Sequence, residues 1–296
     1  MSAKPELWIK SNCINAEGPV WDEATGTFYF VDVEAGKIFS YKDDVLTTWE
    51  AGERVGCAVP CEDGRILAGL ETGIYLVDFP NGGKLQLCDP EPDLEMNRFN
   101  DGKADPQGRF LAGTLTMGAS ENDPAKAALY RLKRNEDDTF EAVPVIKNAK
   151  LANGLAWTAD EKIMYFSDTF YHTVTPYIYT EEDEEFVPAP EKKPIRIPDD
   201  WGFPDGMTID DEGMVWIALW GGGAVTRWNP ETGELLEKIE LPAFNVSSCC
   251  FGGPDMDELY ITTASQDTDM TKYPLAGNVF RMKAGVTGAK SYKAKL

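Results

Sequence analysis

The stretch GPVWDEATGTFYFVDV (residues 18–33) runs an apolar segment into an acidic turn and then into a second apolar segment. The same order recurs five more times, and the six copies align on the turn aspartates Asp22, Asp63, Asp105, Asp160, Asp210 and Asp255. Successive aspartates are 41, 42, 55, 50 and 45 residues apart. Repeats of this length are typical of solenoids and propellers, so the chain is expected to contain six copies of one structural unit.

The repeated segments have the composition of β-strands. They are short, rich in Val, Ile, Phe, Tyr and Trp, and bounded by Gly, Asp and Pro. Each unit has a second half that reads as another hairpin, such as AGKIFSYK (35–42) in the first unit. Four antiparallel strands in each of six units predict an all-β, six-bladed β-propeller that forms a single domain over residues 1–296. A parallel β-helix is the rival fold, but its coils are shorter and more regular.

A propeller gathers the innermost strands of all its blades around one central channel. Five positions before the turn aspartate, near the start of that strand, five units carry Glu17, Ala58, Asn100, Asp205 and Cys250. The fourth unit is two residues longer here, and its polar candidate is Asn153. The alternative without a functional site is that these polar side chains simply line a water-filled channel. Glycine directly after Glu17, Asn153 and Asp205 favours a site, because glycine permits close packing or a positive φ.

Charge and composition exclude several classes of protein. The net charge of −22 argues against nucleic acid and anionic membranes as partners. The sequence has neither a membrane-spanning apolar stretch nor an apolar leader. Together with six cysteines that read as reduced thiols, this predicts a cytoplasmic protein, a monomer or weak homo-oligomer. The acidic run 181–185 is expected to be a solvated excursion of the fourth blade.

Histidine chemistry is nearly absent from this chain. The single histidine, His172, is expected at the surface, so Ser-His-Asp and Cys-His nucleophilic machinery and His-rich zinc sites are excluded. No nucleophile elbow, phosphate-binding loop or dinucleotide fingerprint occurs either. Any chemistry must therefore come from carboxylates, amides and a metal.

Glu17, Asn153 and Asp205 form an all-oxygen ligand set with two formal negative charges. Such a set suits one divalent ion, and Ca²⁺, Zn²⁺, Mg²⁺, Mn²⁺ and Fe²⁺ all remain open. Three protein ligands leave positions for water and substrate, and Asp205 can also act as the general base. Arg98 and Asn100 are expected near the same rim, where they can bind hydroxyls or a developing oxyanion. Asp101 either supports this site or forms a turn before Gly102.

Six sequence blocks resemble the regucalcin/gluconolactonase family, also called the senescence marker protein family. They are EGPVW (17–21), NRFNDGKADPQGRFLAGT (97–114), NGLAW (153–157), PDGMTIDDEG (204–213), SSCCFGG (247–253) and PLAGNVF (274–280). The blocks occur in order over nearly the whole chain and look closer to bacterial sugar lactonases than to the animal members. One departure stands out, because the animal members carry acidic residues shortly after AGT and this chain has Thr114–Gly118 there.

The resemblance implies a six-bladed propeller with one divalent metal at the channel mouth. The family's metal ligands match Glu17, Asn153 and Asp205, its base matches Asp205, and its substrate contacts match Arg98 and Asn100. The implied activity is metal-dependent hydrolysis of a sugar-acid lactone, such as glucono-, xylono- or arabinolactone, to the open-chain aldonate. Two alternatives stay open: a non-catalytic calcium-binding regulator, and a related metal-dependent esterase or phosphotriesterase. A WD-repeat type of scaffold is disfavoured, since Trp21-Asp22 is the only such pair.

Overall fold

The turn aspartates close the hairpins of the repeat. Five of them accept a backbone N–H from the residue two positions later: Ala24 to Asp22, Arg65 to Asp63, Gln107 to Asp105, Lys162 to Asp160 and Glu212 to Asp210. An aspartate that bonds its own backbone in this way fixes a tight turn. The sequence repeat is therefore a repeat of one hairpin geometry.

The computed structural model describes residues 4–180 and 185–296, which form six antiparallel sheets. Blade one contains β2 (Ala16–Asp22), β3 (Thr27–Asp32), β4 (Lys37–Lys42) and β5 (Val45–Glu50). Blade two contains β6 (Val55–Pro60), β7 (Ile66–Leu70), β8 (Gly73–Val77) and β9 (Lys84–Cys88). Blade three contains β10 (Asn97–Ala104), β11 (Phe110–Thr116), β12 (Ala127–Arg134) and β13 (Phe140–Ala149).

Blade four contains β14 (Ala152–Trp157), β15 (Ile163–Asp168) and β16 (Thr173–Ile178), with its outer edge divided between β17 (Val187–Pro188) and β18 (Ile195–Arg196). Blade five contains β19 (Phe203–Ile209), β20 (Val215–Trp220), β21 (Ala224–Asn229) and β22 (Glu234–Glu240). Blade six contains β23 (Asn245–Gly252), β24 (Glu258–Ala264), β25 (Val279–Lys283) and, as its outer strand, β1 (Glu6–Ile9). Two short 3₁₀ helices span Thr169–Tyr171 and Asp199–Trp201.

The six-bladed propeller predicted from the repeat is confirmed, with one element that the repeat does not reveal. Strand β1 comes from the N-terminal side of the chain and pairs with β25, so both ends of the chain build the sixth blade. Trp8 stacks on Tyr260 at 4.2 Å and tilts against Phe28 at 5.1 Å. Burial of aromatic rings at this seam closes the ring of blades.

The core lies between the blades. The described residues form six hydrophobic clusters, one at each contact between neighbouring blades. Trp216 of blade five, for example, is fully buried edge-on against Phe251 of blade six. Because every blade packs on two neighbours, the innermost strands are held rigidly around the channel, which suits a site assembled from several blades.

Two further expectations concern the surface. Residues 181–184 of the acidic run lie outside the described residues, while Glu185 is exposed and pairs with Lys147 at 2.8 Å. The expectation that His172 lies at the surface is wrong: it is only 7% exposed, and its ring packs on Phe203. Within residues 4–180 and 185–296, no helix combines the length and the apolar character that crossing a membrane requires.

Candidate functional site

The predicted ligands lie at irregular points of the innermost strands. Strand pairing shifts register across Asn100, Asn153 and Asp205, and directly after Glu17, which still pairs with Val31. A β-bulge re-aims the side chain that it carries, and bulges are common beside functional sites. Asn100, Asn153 and Asp205 therefore occupy equivalent positions in blades three, four and five, and Glu17 lies one residue before the equivalent position in blade one.

The same register corrects the assignment in the other two blades. In blades two and six the shift falls at Gly56 and Ser247, not at Ala58 and Cys250. Gly56 brings no side chain to this layer. The Ser247 hydroxyl is buried and donates to the Ala16 carbonyl at 2.5 Å, next to Glu17. The layer thus has a carboxylate or amide side chain from each of four blades and a hydroxyl from blade six.

Glycines allow the ligand-bearing strands to approach one another. Gly18 has φ of +55°, in the region that glycine favours. A Cβ on Gly154 would stand 2.7 Å from the backbone oxygen of Asp205, and one on Gly206 would stand 1.9 Å from the Ser248 hydroxyl. Glycine is therefore required at position 154 by a neighbouring backbone, at 206 by the Ser248 side chain, and at 18 by the positive φ.

In blades one and four, an aspartate at the end of the second strand accepts hydrogen bonds from the backbone just before the innermost strand. Asp32 accepts the backbone N–H groups of Ile14 and Asn15 at 2.9 and 3.1 Å. In blade four Asp168 accepts those of Lys150 and Leu151 at 3.0 and 3.2 Å. Burial raises the pKa of Asp168 to about 6. The same device fixes the backbone just before Glu17 and just before Asn153.

Glu17 and Asp205 are buried carboxyl groups, and each lies close to the charge of another carboxylate. Burial, followed by the charges of Asp205 and Asp101, raises the pKa of Glu17 well above its ordinary value. Burial and the charge of Asp101 likewise raise the pKa of Asp205, while a hydrogen bond with Asn153 opposes the rise. Neighbouring carboxylates that are buried away from water stay ionised only if a cation compensates their charge.

Asn153 completes this set with an oxygen that has no partner. Its amide nitrogen donates to Thr169 Oγ1 at 3.1 Å, which fixes the orientation of the amide. Its Oδ1 is buried and accepts no hydrogen bond from any described residue. Buried polar atoms are nearly always paired, so an unpaired carbonyl oxygen among carboxylates fits a cation ligand.

Two carboxylates and one amide oxygen are a suitable donor set for a divalent ion. No group of three or more His, Cys, Asp or Glu in the described part of the chain has the arrangement of a metal site. The candidate set therefore depends on Asn153 as its third ligand. Glu17 Oε2 also accepts the Gly18 N–H at 2.6 Å, which fixes the orientation of the carboxylate.

Arg98 and Asn100 lie together in β10, as predicted. Arg98 is buried, and its Nη1 donates to the Phe99 carbonyl at 2.8 Å and to Asn100 Oδ1 at 3.3 Å. Asn100 donates from Nδ2 to the Ala152 carbonyl at 2.9 Å, one residue before Asn153. Arg98 Nε has no partner among the described residues. A half-satisfied guanidinium and a half-exposed amide beside the ligands are suitable for binding hydroxyl groups.

Two charged residues next to the proposed ligands, Asp101 and Lys103, lie closer to the site than the sequence indicated. Asp101 lies within β10, where its Oδ1 accepts the Gly102 N–H at 2.7 Å, so it does not serve only to form a turn. Its Oδ2 is buried without a described partner. Lys103, which the sequence analysis missed, crosses the channel and donates from Nζ to the Met207 carbonyl at 2.5 Å. Its signal was a cation two residues after Asp101, in an inner strand whose sequence NRFNDGKA is largely polar.

Comparison with known proteins agrees with this architecture. The model of the SMP-30/gluconolactonase/LRE-like region matches residues 15–265. Regucalcin of Danio rerio is 34% identical over 297 residues, covering 98% of each chain. A luciferin-regenerating enzyme superposes with a TM-score of 0.85 at 31% identity, covering 99% of this chain and 100% of that one.

A calcium-binding regucalcin of Agrobacterium tumefaciens also superposes with a TM-score of 0.85, covering 99% of each chain; at 22% identity it supports the fold alone. The closer likeness to bacterial sugar lactonases stays a prediction. Two findings establish the family: the family model matches most of the chain, and a curated relative is 34% identical over nearly its whole length. The chain belongs to the SMP-30/gluconolactonase/LRE-like family.

Proposed function

We propose that this protein hydrolyses the lactone of a sugar acid, with a divalent ion held by Glu17, Asn153 and Asp205. The observation that carries the proposal is the unpaired, buried Oδ1 of Asn153 beside two buried carboxyl groups. Membership of a family whose name includes gluconolactonase supports the choice of reaction. When bound, a divalent ion supplies Lewis-acid polarisation of the ester carbonyl.

Asp205 is the proposed general base. The Asp205 carboxylate is buried beside Asn153, where one of its oxygens can accept the proton of a water in the site. As water attacks the carbonyl carbon, an Asp205 carboxylate oxygen takes the proton of that water. The bond between the carbonyl carbon and the ring oxygen then breaks, and Asp205 returns its proton to the ring oxygen, which becomes the hydroxyl of the aldonate.

Arg98 and Asn100 are proposed to bind the hydroxyls of the lactone ring. Arg98 is held by Phe99 and Asn100, and Asn100 by Ala152, so both present fixed donors. Fixed donors orient a small polar ring at a low entropic cost. We therefore propose five- and six-membered aldonolactones as the substrate class.

The second candidate function is calcium binding without turnover. It is favoured by the names of curated relatives, which are regucalcins, and by the net charge of −22. This candidate requires the same three ligands, but it assigns no role to Arg98 and Asn100. The two functions therefore differ in turnover and not in metal binding.

The test is proton release by metal-stripped protein from aldonolactones, with Ca²⁺, Zn²⁺, Mg²⁺, Mn²⁺ and Fe²⁺ added singly. A carboxylic ester and a phosphotriester serve as additional substrates. We expect hydrolysis that requires a metal, and a fall in kcat of roughly 100-fold or more for Asp205→Asn. Asp138→Asn, at an exposed turn of blade three, is the matched control and should keep full activity.

Turnover of none of these substrates above the spontaneous rate with any ion contradicts the proposal. Tight Ca²⁺ binding under the same conditions would then establish the second candidate. Turnover of the phosphotriester alone would reassign the substrate class but keep the site.

A further inference from the structure

Lys103 places a positive charge beneath a cluster of three carboxylates. It follows Asp101 by two residues in β10 and reaches across the channel to the Met207 carbonyl at 2.5 Å. Met207 itself follows Asp205 by two residues in β19. The side chain of Lys103 thus passes just below the layer that contains Glu17, Asp101 and Asp205.

The charges of this layer do not cancel without the lysine. Glu17, Asp101 and Asp205 carry three negative charges when ionised, and all three are buried. A divalent ion alone leaves one of these charges uncompensated, and an uncompensated buried charge is costly. With Lys103 included, three negative charges are balanced by the ion and the ammonium group.

The rim above this layer is already balanced. Arg54 pairs with Glu34 at 2.8 Å and with Glu71 at 3.2 Å, and Arg98 approaches Glu34 at 3.9 Å. Two cations and two carboxylates therefore neutralise one another there. Burial raises the pKa of Glu17 and of Asp101, and the charge of Lys103 opposes the rise in both, which agrees with its position next to the inner layer.

Lys103 also lies at the edge of a small, mostly apolar cavity. Below the ligand layer it lines a cavity of about 40 Å³ together with Trp157, Thr208, Cys250 and Tyr292. The cavity is too small for any ligand larger than a water molecule. Lys103 is therefore available to the site as a fixed charge and not as a group that contacts the substrate.

We infer that Lys103 sets the valence preference of the metal site, making the site neutral with a divalent ion and positive with a trivalent one. The inference rests on the proposed function, because it uses the same three ligands. Lys103 acts as a positioning charge and is not a catalytic residue. Its removal should favour all cations, and more highly charged cations most.

Coulomb's law gives the expected proportion. The repulsion of one fixed charge scales with ion charge, so the logarithms of the affinity gains for trivalent and divalent ions stand as three to two. If Lys103→Met tightens Ca²⁺ binding roughly tenfold, it tightens La³⁺ binding roughly thirtyfold at the same ionic strength. A general loosening of the site would weaken both ions and would not scale with charge.

The experiment is calorimetric titration of metal-stripped protein with Ca²⁺ and, separately, with La³⁺. Lys103→Met is compared with Lys193→Met, a matched control at an exposed position. Asp101→Asn is the mirror variant, and it should weaken both ions with the same three-to-two proportion. This variant keeps the inference testable if Lys103→Met fails to fold.

The outcomes separate the inference from the proposed function. Failure of the unaltered protein to bind either ion overturns the metal site and the inference with it. Binding by the unaltered protein, with equal changes for the two ions or no change in Lys103→Met and Asp101→Asn, overturns the inference alone. Charge-scaled changes of opposite sign in the two variants establish it.

Discussion

Burial raises the pKa values of three carboxyl groups in the metal-free protein, those of Glu17, Asp101 and Asp205. An acid whose pKa is raised by folding stabilises the fold while it is protonated, and this contribution is lost as the pH rises toward the folded pKa. The metal-free site should therefore destabilise the protein progressively from about pH 4 upward, the ordinary range of these groups.

Metal binding should release these protons. We expect the rise in Tm caused by Ca²⁺ to grow as the pH rises above the ordinary range of these carboxyl groups, because a metal ligand must be deprotonated. Titration at increasing pH, in buffers of different ionisation enthalpy, should show proton release that is smaller in Glu17→Gln. Glu50→Gln, at an exposed position, is the control. Calcium binding without proton release at any of these pH values would contradict the raised pKa values.

At the scale of single residues, the sequence could predict the site only as far as the spacing between each inner-strand residue and its turn aspartate is constant. Asn100, Asn153 and Asp205 lie within register shifts and Glu17 directly before one, and each lies five or seven residues before its turn aspartate. Their role as metal or substrate ligands stays a prediction. The assignments in blades two and six were wrong because Gly56 and Ser247 lie seven and eight residues before theirs. The length between bulge and turn varies, and only strand pairing shows where the bulge falls.

At the scale of the strand, the approach of β14 to β19 decides how closely two ligands meet. A methyl group on Gly154 would stand 2.7 Å from the Asp205 carbonyl oxygen and 2.8 Å from the Met207 nitrogen. These are backbone atoms, so relief requires the strands to separate. Gly154→Ala should lower the free energy of unfolding by about 1–3 kcal/mol and weaken metal binding as well, because Asn153 and Asp205 move apart.

Gly83→Ala is the matched control for this prediction. No atom lies within 4 Å of a Cβ built on Gly83, so the substitution should leave stability within about 0.5 kcal/mol. Chemical denaturation and Ca²⁺ titration of both variants measure the difference. Equal stability and equal affinity in the two variants would show that the spacing of β14 and β19 does not limit the site.

The strands also show why one element escaped prediction. Strand β1 has four residues, of which Glu6 and Leu7 are exposed, and it stands outside the repeated pattern. Its place is fixed by pairing with β25, about 270 residues later in the chain, and by the stacking of Trp8 on Tyr260. Such long-range pairing leaves no local pattern in the sequence, whereas the hairpins of the blades can be predicted from their turn residues.

At the scale of the whole molecule, the two ends of the channel have separate roles. The ligands lie near the start of the innermost strands, and the hairpin turns lie at the other end. There the C-terminal segment 288–296 crosses several blades. Ala289 donates to the Ile209 carbonyl at 3.0 Å, Ala294 to Pro60 at 2.9 Å, and Lys295 to Gly108 at 2.7 Å.

Side chains of the same segment strengthen this closure. Lys293 pairs with the turn aspartate Asp22 at 2.8 Å, and the Tyr292 ring packs edge-on against Trp157. Ala294 is completely buried. The segment thus ties blades one to five together at the face opposite the ligands, so it should contribute to stability and leave the metal site unaffected.

Truncation after Thr287 tests this separation of roles. Loss of these hydrogen bonds, at about 1 kcal/mol each and offset by regained chain entropy, should lower Tm by roughly 5–10 °C. The dissociation constant for Ca²⁺, measured well below that Tm, should stay within about twofold, because the ligands are anchored by bulges and by Asp32 and Asp168 at the other end. A large loss of affinity together with an unchanged Tm would show instead that the segment acts on the ligand layer through the channel, with Lys103 as the side chain that connects the two ends.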